Sequence, residues 1–435
     1  MERLIELARK RGIQAEVYHS RDRTTPVRFA SNKLKQLTTT DSEGVALRVI
    51  VDGKLGFSTT TKCDDPDQVF ADAVAVAAYG PSVEFGFAGP DRLLQLKTED
   101  QGVRDLKLET LISLGQESID TLKPLHPNLL ADIYVSRAEQ EVRILTTEGL
   151  DARYRGTMFY ANIGAEIVEG QNMLQVWDGW GGADFQPDRV RAAVADVAEK
   201  VRQGLVNVPL AAGAYTVVLR PLAVRDLLGP YSACLNGRNV EKGISPWRDK
   251  LGETLASPLV SLIDDPTRDL VYGASPFDAE GTPTRRLPLV DKGVLTSFRL
   301  DRRAAQALGQ APTGSAGKSS LDTAPMPNGL ATTLAPGETS VKTMLKGMGD
   351  GLVIDYLMGA WAGNLLAGQV TGNILLGYKV EGGVITGRVK DAMFSTNAFE
   401  ALKDKLIAVS REVKETGGMT LPCVQLADVN ISVKQ

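Results

Sequence analysis

The stretch YGASPFDAEGTPTRRLPLVDKGVLTSFRL, residues 272–300, carries the strongest local structural signal in the chain. Its segments 286–290 and 294–298 are apolar and are separated by the turn sequence DKG, whose glycine permits a positive φ. The spacing predicts a β-hairpin. The preceding loop, 277–281, places two carboxylates beside a glycine. Such a loop is compatible with an active site, and equally with acids that cap backbone amides.

The composition predicts a globular protein of two or three domains. The chain has 435 residues, of which 43% are hydrophobic, and this is enough to form sizeable cores. The formal net charge is −4, and no run rich in lysine and arginine stands out. Nucleic acids and membrane surfaces are therefore not expected partners. No apolar run approaches the roughly 18 residues of a membrane span.

Cysteine usage and the N-terminus predict a cytoplasmic location. Cys63, Cys234 and Cys423 are far apart in sequence and form no CxxC pair, which favours a reduced compartment. Residues 1–17 read as a charged amphipathic helix without the apolar centre of a signal peptide.

Histidine usage argues against a hydrolytic metal site in this chain. The sequence has two histidines, His19 and His126, and neither has an Asp, Glu or Cys neighbour at ligand spacing. A catalytic zinc site needs about three protein ligands and often takes two histidines from one helical face. A Ser-His-Asp or Cys-His arrangement would have to recruit one of these two histidines, and no motif supports that. The sequence therefore predicts no catalytic residues and no metal ligands.

The first half, residues 1–209, is predicted to be an α+β domain with helices packed on an antiparallel sheet. The predicted elements are helices over 2–11, 65–78 and 106–122 and strands that include a hairpin over 44–60. Asp65 followed by Pro66 is a typical helix start. The segment 81–105 lacks a clear period and marks a possible further boundary.

The second half, residues 210–435, is predicted to be β-rich and to begin after a Pro- and Gly-bearing connector at 206–213. Its predicted elements include helices over 222–234 and 397–413 and strands over 215–219, 259–263, 351–357, 371–380 and 424–433. The segment 310–328 is rich in Gly, Ser, Thr and Pro. A binding lid and a mobile surface loop both remain open for it.

Several of these motifs resemble the TldD/PmbA family. GVALRVIVDGKLGFSTT, residues 44–60, is similar to the amino-terminal signature of that family. LASPLVSLIDDP (255–266), the segment from GASPFDAEGT to APTGSAG (273–317) and MGDGLVIDYLMG (348–359) resemble its C-terminal half. The resemblance covers nearly the whole chain. It implies an N-terminal α+β domain followed by a β-rich domain of the TldD/PmbA type.

The resemblance also implies which branch of the family this is. In the TldD branch, an HExxxH motif on the helix that opens the C-terminal domain holds a catalytic metal together with a later cysteine. Here the residues at the motif positions are Gly229, Pro230 and Cys234, and none can replace the metal ligand or the general base of the motif at its position. Cys423 lies too close to the C-terminus to match the later cysteine well. The chain therefore looks like a TldE (PmbA)-like subunit without a cofactor of its own.

The implied function is that of a metal-free subunit in a TldD/TldE-type metalloprotease acting on unfolded or extended peptides. A TldD-like partner would form a heterodimer with it and supply a zinc-type metal. The alternative is a stand-alone homodimeric peptide-binding or scaffold protein without catalysis. A weaker alternative is a metal-independent hydrolase that uses Asp278 or Glu280 as its base.

The candidate residues lining a peptide cavity are Phe277, Asp278, Glu280, Gly281 and Trp361. For the two acids, capping and turn formation are favoured over a chemical role. Packing is favoured for the tryptophan.

Overall fold

The computed structural model describes residues 1–62 and 64–434, and its first half is built on a seven-stranded antiparallel sheet. The strands are β1 (Gln14–Ala30), β2 (Lys33–Gln36), β3 (Thr40–Val51), β4 (Lys54–Thr60), β5 (Leu130–Thr146), β6 (Asp151–Glu169) and β7 (Asn172–Gly182). Their order is β4-β3-β1-β5-β6-β7, and β2 pairs with β1 outside that path. The predicted hairpin over 44–60 is formed by β3 and β4, with Asp52 and Gly53 at positive φ in the turn.

Helices pack against this sheet and bury its apolar side chains. Those in the first half of the described chain are α1 (Glu2–Lys10), α2 (Pro66–Ala77), α3 (Gln101–Arg104), α4 (Leu108–Leu122) and α5 (Pro187–Gly204), with a 3₁₀ turn at Lys123–Leu125. The predicted cap of α2 is confirmed, because the Asp65 carboxylate accepts a hydrogen bond from the backbone N–H of Gln68 at 3.0 Å. α1 and α2 share one core with β1 and β3, whereas α4 and α5 pack against β5–β7.

The second half is organised around an eleven-stranded mixed sheet. Strands of this half are β8 (Gly213–Leu219), β9 (Leu262–Asp264), β10 (Leu287–Asp291), β11 (Val294–Leu295), β12 (Ala316–Gly317), β13 (Met326–Pro327), β14 (Thr332–Leu334), β15 (Gly351–Met358), β16 (Gln369–Glu381), β17 (Val384–Arg388), β18 (Ala392–Asn397), β19 (Leu406–Thr416) and β20 (Met419–Val433). The main path is β11-β10-β9-β14-β20-β18-β16-β15-β8, and β20 also pairs with β8, which closes five strands into a ring. β12 and β13 form a separate two-stranded ladder. The α+β class with a β-rich second half is confirmed.

Helices in the second half are short. They are α6 (Pro221–Leu227), α7 (Gly229–Cys234), α8 (Gly237–Glu241), α9 (Arg302–Ala307), α10 (Val341–Met348) and α11 (Ala398–Lys403), with 3₁₀ turns at Ala360–Ala362 and Leu365–Ala367. The helix predicted over 222–234 is divided at Leu228, ahead of Pro230, which lacks a backbone N–H for a continuous helical ladder.

Three further expectations for the second half need correction. The second arm of the predicted hairpin, 294–298, is a strand only over Val294–Leu295, because the chain leaves the pairing with β10 after Leu295. The helix predicted over 397–413 ends at Lys403, and its remainder is strand β19. Leu406, Ala408 and Val409 of β19 pair with β20, so tertiary contacts override the helical spacing of this segment. The strand predicted over 259–263 is confined to β9.

The two halves share a core. Tyr356 of β15 and Tyr378 of β16 belong to the same apolar cluster as α4 and α5, and the Tyr378 hydroxyl donates a hydrogen bond to the carbonyl of Lys200 at 3.1 Å. None of the helices described by the structure has the length and apolar character required to cross a membrane.

Candidate functional site

A cleft of about 350 Å³ lies between the first sheet and the loops around residues 271–279 and 316–318. Strands β1, β5 and β6 form one wall, and the loop that precedes the β10–β11 hairpin forms the other. The polar and aromatic residues of the lining are Tyr18, Asp22, Thr24, Thr98, Gln140, Tyr154, Thr157, Tyr272, Ser275, Phe277, Asp278, Lys318 and Asn328. Its volume falls within the range typical of small-ligand sites.

Asp278 organises the loop that forms one wall of this cleft. Its side chain is 3% exposed, and one carboxylate oxygen accepts hydrogen bonds from the backbone N–H groups of Glu280 and Thr282 at 2.9 and 3.0 Å. The other oxygen accepts a hydrogen bond from the N–H of Ala316 at 3.0 Å. Burial and the nearby Glu280 raise the pKa of Asp278 to about 7, although the three amides act in the opposite direction. The geometry is that of a capping residue.

Glu280 joins this loop to the first sheet through a buried ion-pair network. One of its oxygens accepts a hydrogen bond from Arg48 Nη1 at 3.0 Å, and the other from the backbone N–H of Arg302 at 2.7 Å. Arg48 also donates to both carboxylate oxygens of Glu16, at 2.8 and 2.7 Å. Burial alone would lower the pKa of Arg48, but the two carboxylates outweigh it and raise that pKa. Both oxygens of Glu280 are therefore engaged by donors within the protein.

Phe277 and Gly281 pack against the first sheet on either side of the two acids. The Phe277 ring meets Tyr154 edge to face, with ring centroids 5.2 Å apart, and lines the cleft. Gly281 has φ +74°, and a Cβ there would lie 2.3 Å from Leu150 Cδ2. Only glycine fits this close approach without displacing its neighbour.

The structure thus brings four of the five predicted residues together and separates the fifth. Phe277 and Asp278 line the cleft, whereas Glu280 and Gly281 lie behind its wall and hold the loop in place. Trp361 lies in the 3₁₀ turn after β15, is 79% exposed and does not line this cleft.

Helix α7 carries the three positions at which a metal-binding motif would lie, and its residues do not fit a metal ion. Gly229 has no ligand atom and Pro230 has no acid or base. Cys234 is fully buried in the apolar core, where burial raises the pKa of its thiol to about 12. Tyr231, between these positions, packs edge to face on Trp247 with centroids 4.8 Å apart. This helix is an element of the core.

The histidines are engaged elsewhere. His19 Nε2 lies 2.8 Å from Glu43 Oε1 on the neighbouring strand, and His126 Nε2 lies 3.5 Å from Glu169 Oε1. Across residues 1–62 and 64–434, no three His, Cys, Asp or Glu side chains are grouped as a metal site would require. Cys63 lies outside the described residues, and Cys423 is buried in β20.

A second cleft of about 410 Å³ lies between α5 and β19 and is lined by paired charges. Lys200 Nζ contacts Asp178 and Asp355 at 3.1 and 3.2 Å, and Arg220 also pairs with Asp355 at 2.8 Å. These buried charges therefore compensate one another within the cluster.

The sequence reasoning missed Arg48, Glu16 and Lys318. Glu16 and Arg48 face each other across β1 and β3, and this register is visible only once the strands are paired. Lys318 is the one cationic residue in the Gly- and Ser-rich segment 310–328, and that single cation was the available signal.

Comparisons with known proteins agree along the whole chain. Sequence models of PmbA/TldA metallopeptidase domains match residues 15–77 (domain 1), 102–205 (central domain) and 212–433 (C-terminal domain). An uncharacterized protein of Methanocaldococcus jannaschii is 26% identical over 431 residues, which cover 98% of each chain. A Methanothermobacter thermautotrophicus protein named metalloprotease is 26% identical over 411 residues, which cover 90% of this chain and 86% of the relative. The crystal structure of TldE from Thermococcus kodakarensis superposes with a TM-score of 0.91 at 21% identity over 99% of both chains, and shows the same fold.

Proposed function

The chain belongs to the PmbA/TldD metallopeptidase family, and from this premise we propose that it is the metal-free, TldE-like subunit of a two-subunit peptidase. In this proposal a TldD-like partner supplies the zinc-type metal and the catalytic residues. The present chain binds and orients unfolded or extended peptides in the cytoplasm.

The observation that carries this proposal is the side-chain chemistry of α7. A hydrolytic metal needs ligands and a general base, and Gly229 and Pro230 provide neither. The remaining candidate ligand, Cys234, is a buried thiol whose raised pKa favours its protonated form, whereas a metal binds the thiolate. We therefore assign no step of hydrolysis to these three residues.

The cleft supports the peptide-binding part of the proposal. Its lining combines aromatic rings, such as Tyr18 and Tyr154, with the polar groups of Gln140 and Asn328. Amide side chains of this kind can hydrogen-bond to the main chain of a peptide, whose N–H and C=O groups recur at nearly every residue. The acidic loop serves as a rigid wall, because Asp278 and Glu280 are held by amides and by Arg48.

The experiment is a reconstitution with the HExxxH-bearing relative from the same organism. Hydrolysis of fluorescently labelled casein, an unfolded protein, is measured for each chain alone and for the mixture, with and without chelator. We expect hydrolysis by the mixture, its loss with chelator, and no hydrolysis by the present chain alone. A partner whose motif glutamate is replaced by glutamine is the matched control and should be inactive in the mixture.

Two results would contradict the proposal. Chelator-sensitive hydrolysis by the present chain alone would mean that it holds its own metal. A homodimer that binds peptide but never associates with an HExxxH-bearing relative would instead favour the stand-alone binding protein.

A further inference from the structure

The segment 316–327 forms an arm that reaches from the second half of the chain to the first sheet. Its base is the β12–β13 ladder, which the Asp278 carboxylate anchors through the N–H of Ala316. Near its tip, Leu321 covers Gly44 of β3 so closely that a Cβ on that glycine would lie 2.3 Å from Leu321 Cδ2. The arm places Lys318 in the lining of the 350 Å³ cleft.

The Lys318 ammonium lies near two aromatic rings. Nζ is 5.2 Å from the ring centroid of Tyr18 and 5.3 Å from that of Phe57. These contacts stabilise a cation without neutralising its charge. Burial, together with the nearby Arg48 guanidinium, lowers the pKa of Lys318 to about 8, while Glu16 and Asp322 act in the opposite direction.

This ammonium is incompletely partnered. It donates one hydrogen bond, to the carbonyl of Thr323, whereas a lysine ammonium has three N–H donors. Among residues 1–62 and 64–434, no carboxylate oxygen lies within 4.0 Å of Nζ. A partly buried cation with free donors beside a cleft is the arrangement that an anionic ligand group stabilises.

We propose that Lys318 anchors a carboxylate-binding subsite in this cleft, and that the carboxylate belongs to a peptide substrate. The proposal rests on the peptide-binding function given above. The same chemistry is offered by a C-terminal carboxylate and by an Asp or Glu side chain.

The test uses the isolated chain, without partner or metal, and three dansylated alanine peptides of equal length. One has a free C-terminal carboxylate, one is amidated, and one is amidated and contains a central glutamate. Binding is followed by fluorescence anisotropy for wild type, K318M, K318R and the control K33M, which removes an exposed lysine on β2. We expect K318M to weaken binding of a carboxylate-bearing peptide about tenfold or more. The affinity of K318M for the amidated peptide without glutamate should equal that of wild type. K318R should largely retain binding of the carboxylate-bearing peptide, and K33M should bind all three peptides as wild type does. The carboxylate-bearing peptide whose binding K318M weakens shows whether the subsite takes a C-terminal carboxylate or an acidic side chain.

A second readout does not depend on any variant folding correctly. The carboxylate-bearing peptide should protect Lys318 of the wild-type chain, but not Lys33, from acetylation by an N-hydroxysuccinimide ester, as measured by mass spectrometry. Equal peptide binding by K318M and wild type, no preference for carboxylate peptides, or no protection of Lys318 would overturn the proposal. Because no partner is present, such a failure is separate from a failure of the reconstituted peptidase.

Discussion

Replacing Arg48 with methionine (R48M) tests whether the buried network holds the two halves together. Arg48 donates hydrogen bonds to Glu16 at 2.8 and 2.7 Å and to Glu280 at 3.0 Å, and both carboxylates are 1% exposed. Removing the cation leaves two buried carboxylates facing each other. Breaking a buried pair in this way costs roughly 3–5 kcal/mol. We expect a loss of about 4 kcal/mol in the free energy of unfolding.

The assay is thermal unfolding at neutral pH, followed by circular dichroism. In a cooperative unit of roughly 200 residues, each kcal/mol lowers Tm by about 2–4 °C, so R48M should lower Tm by roughly 8–16 °C. The matched control is R21M. Arg21 joins the same two strands through Asp41, at 3.1 and 2.9 Å, but in solvent. Its removal should shift Tm by no more than the error of measurement.

A triple variant completes the test. Replacing the whole network by neutral groups, E16Q/R48M/E280Q, leaves no unpaired charge and should recover much of the Tm lost in R48M. Equal Tm shifts for R48M and R21M would refute the reasoning. So would a triple variant that is no more stable than R48M.

Other substitutions probe the loop, a titrating acid and the core thiol. Gly281→Ala should lower the free energy of unfolding, measured in urea, by about 2 kcal/mol, because the new Cβ would meet Leu150. The control Gly12→Ala should lower it by roughly 1 kcal/mol, because a Cβ there meets nothing within 4 Å. Equal losses for the two variants would argue against the close approach at Gly281. Burial raises the pKa of Asp226 to about 6, so this carboxyl binds its proton more tightly in the folded state than in the unfolded state. The stability that comes from this tighter proton binding is therefore lost as pH rises from about 4 through 6. The Tm of wild type relative to D226N should fall over that range, and a constant difference would contradict the assignment. Burial raises the pKa of Cys234 to about 12, so iodoacetamide at pH 8 should label it only after unfolding, and native labelling seen by mass spectrometry would show an accessible thiol.

Local signals in the sequence were sufficient for much of the fold. The hairpin over 44–60, the Asp65 cap of α2 and the turn of the β10–β11 hairpin, with Lys292 and Gly293 at positive φ, all lie where the residue types predict them. These features depend on backbone dihedral angles and on hydrogen bonds between near neighbours. The family resemblance came from the same stretches.

The segment 406–416 shows where such signals fail. Its apolar residues fit a helical spacing, but an extended chain here pairs with β20 on both sides of the irregularity between Val409 and Val413. The arm at 316–327 is a similar case, since Asp278 and the contact of Leu321 with Gly44 hold it in place. In both segments a distant partner selects the conformation.

The sequence by itself determined the local elements, the family and the side chains of α7, because these follow from residue identity and short-range geometry. The tertiary structure alone decided the roles of the charged residues. Glu280 became an ion-pair partner of Arg48, 232 positions away. Lys318 became a cation beside a cleft, and within residues 1–62 and 64–434 no carboxylate oxygen lies within 4.0 Å of its Nζ. The physical reason is that the energy of a charge depends on its burial and on its partners, and both are set by packing between distant parts of the chain.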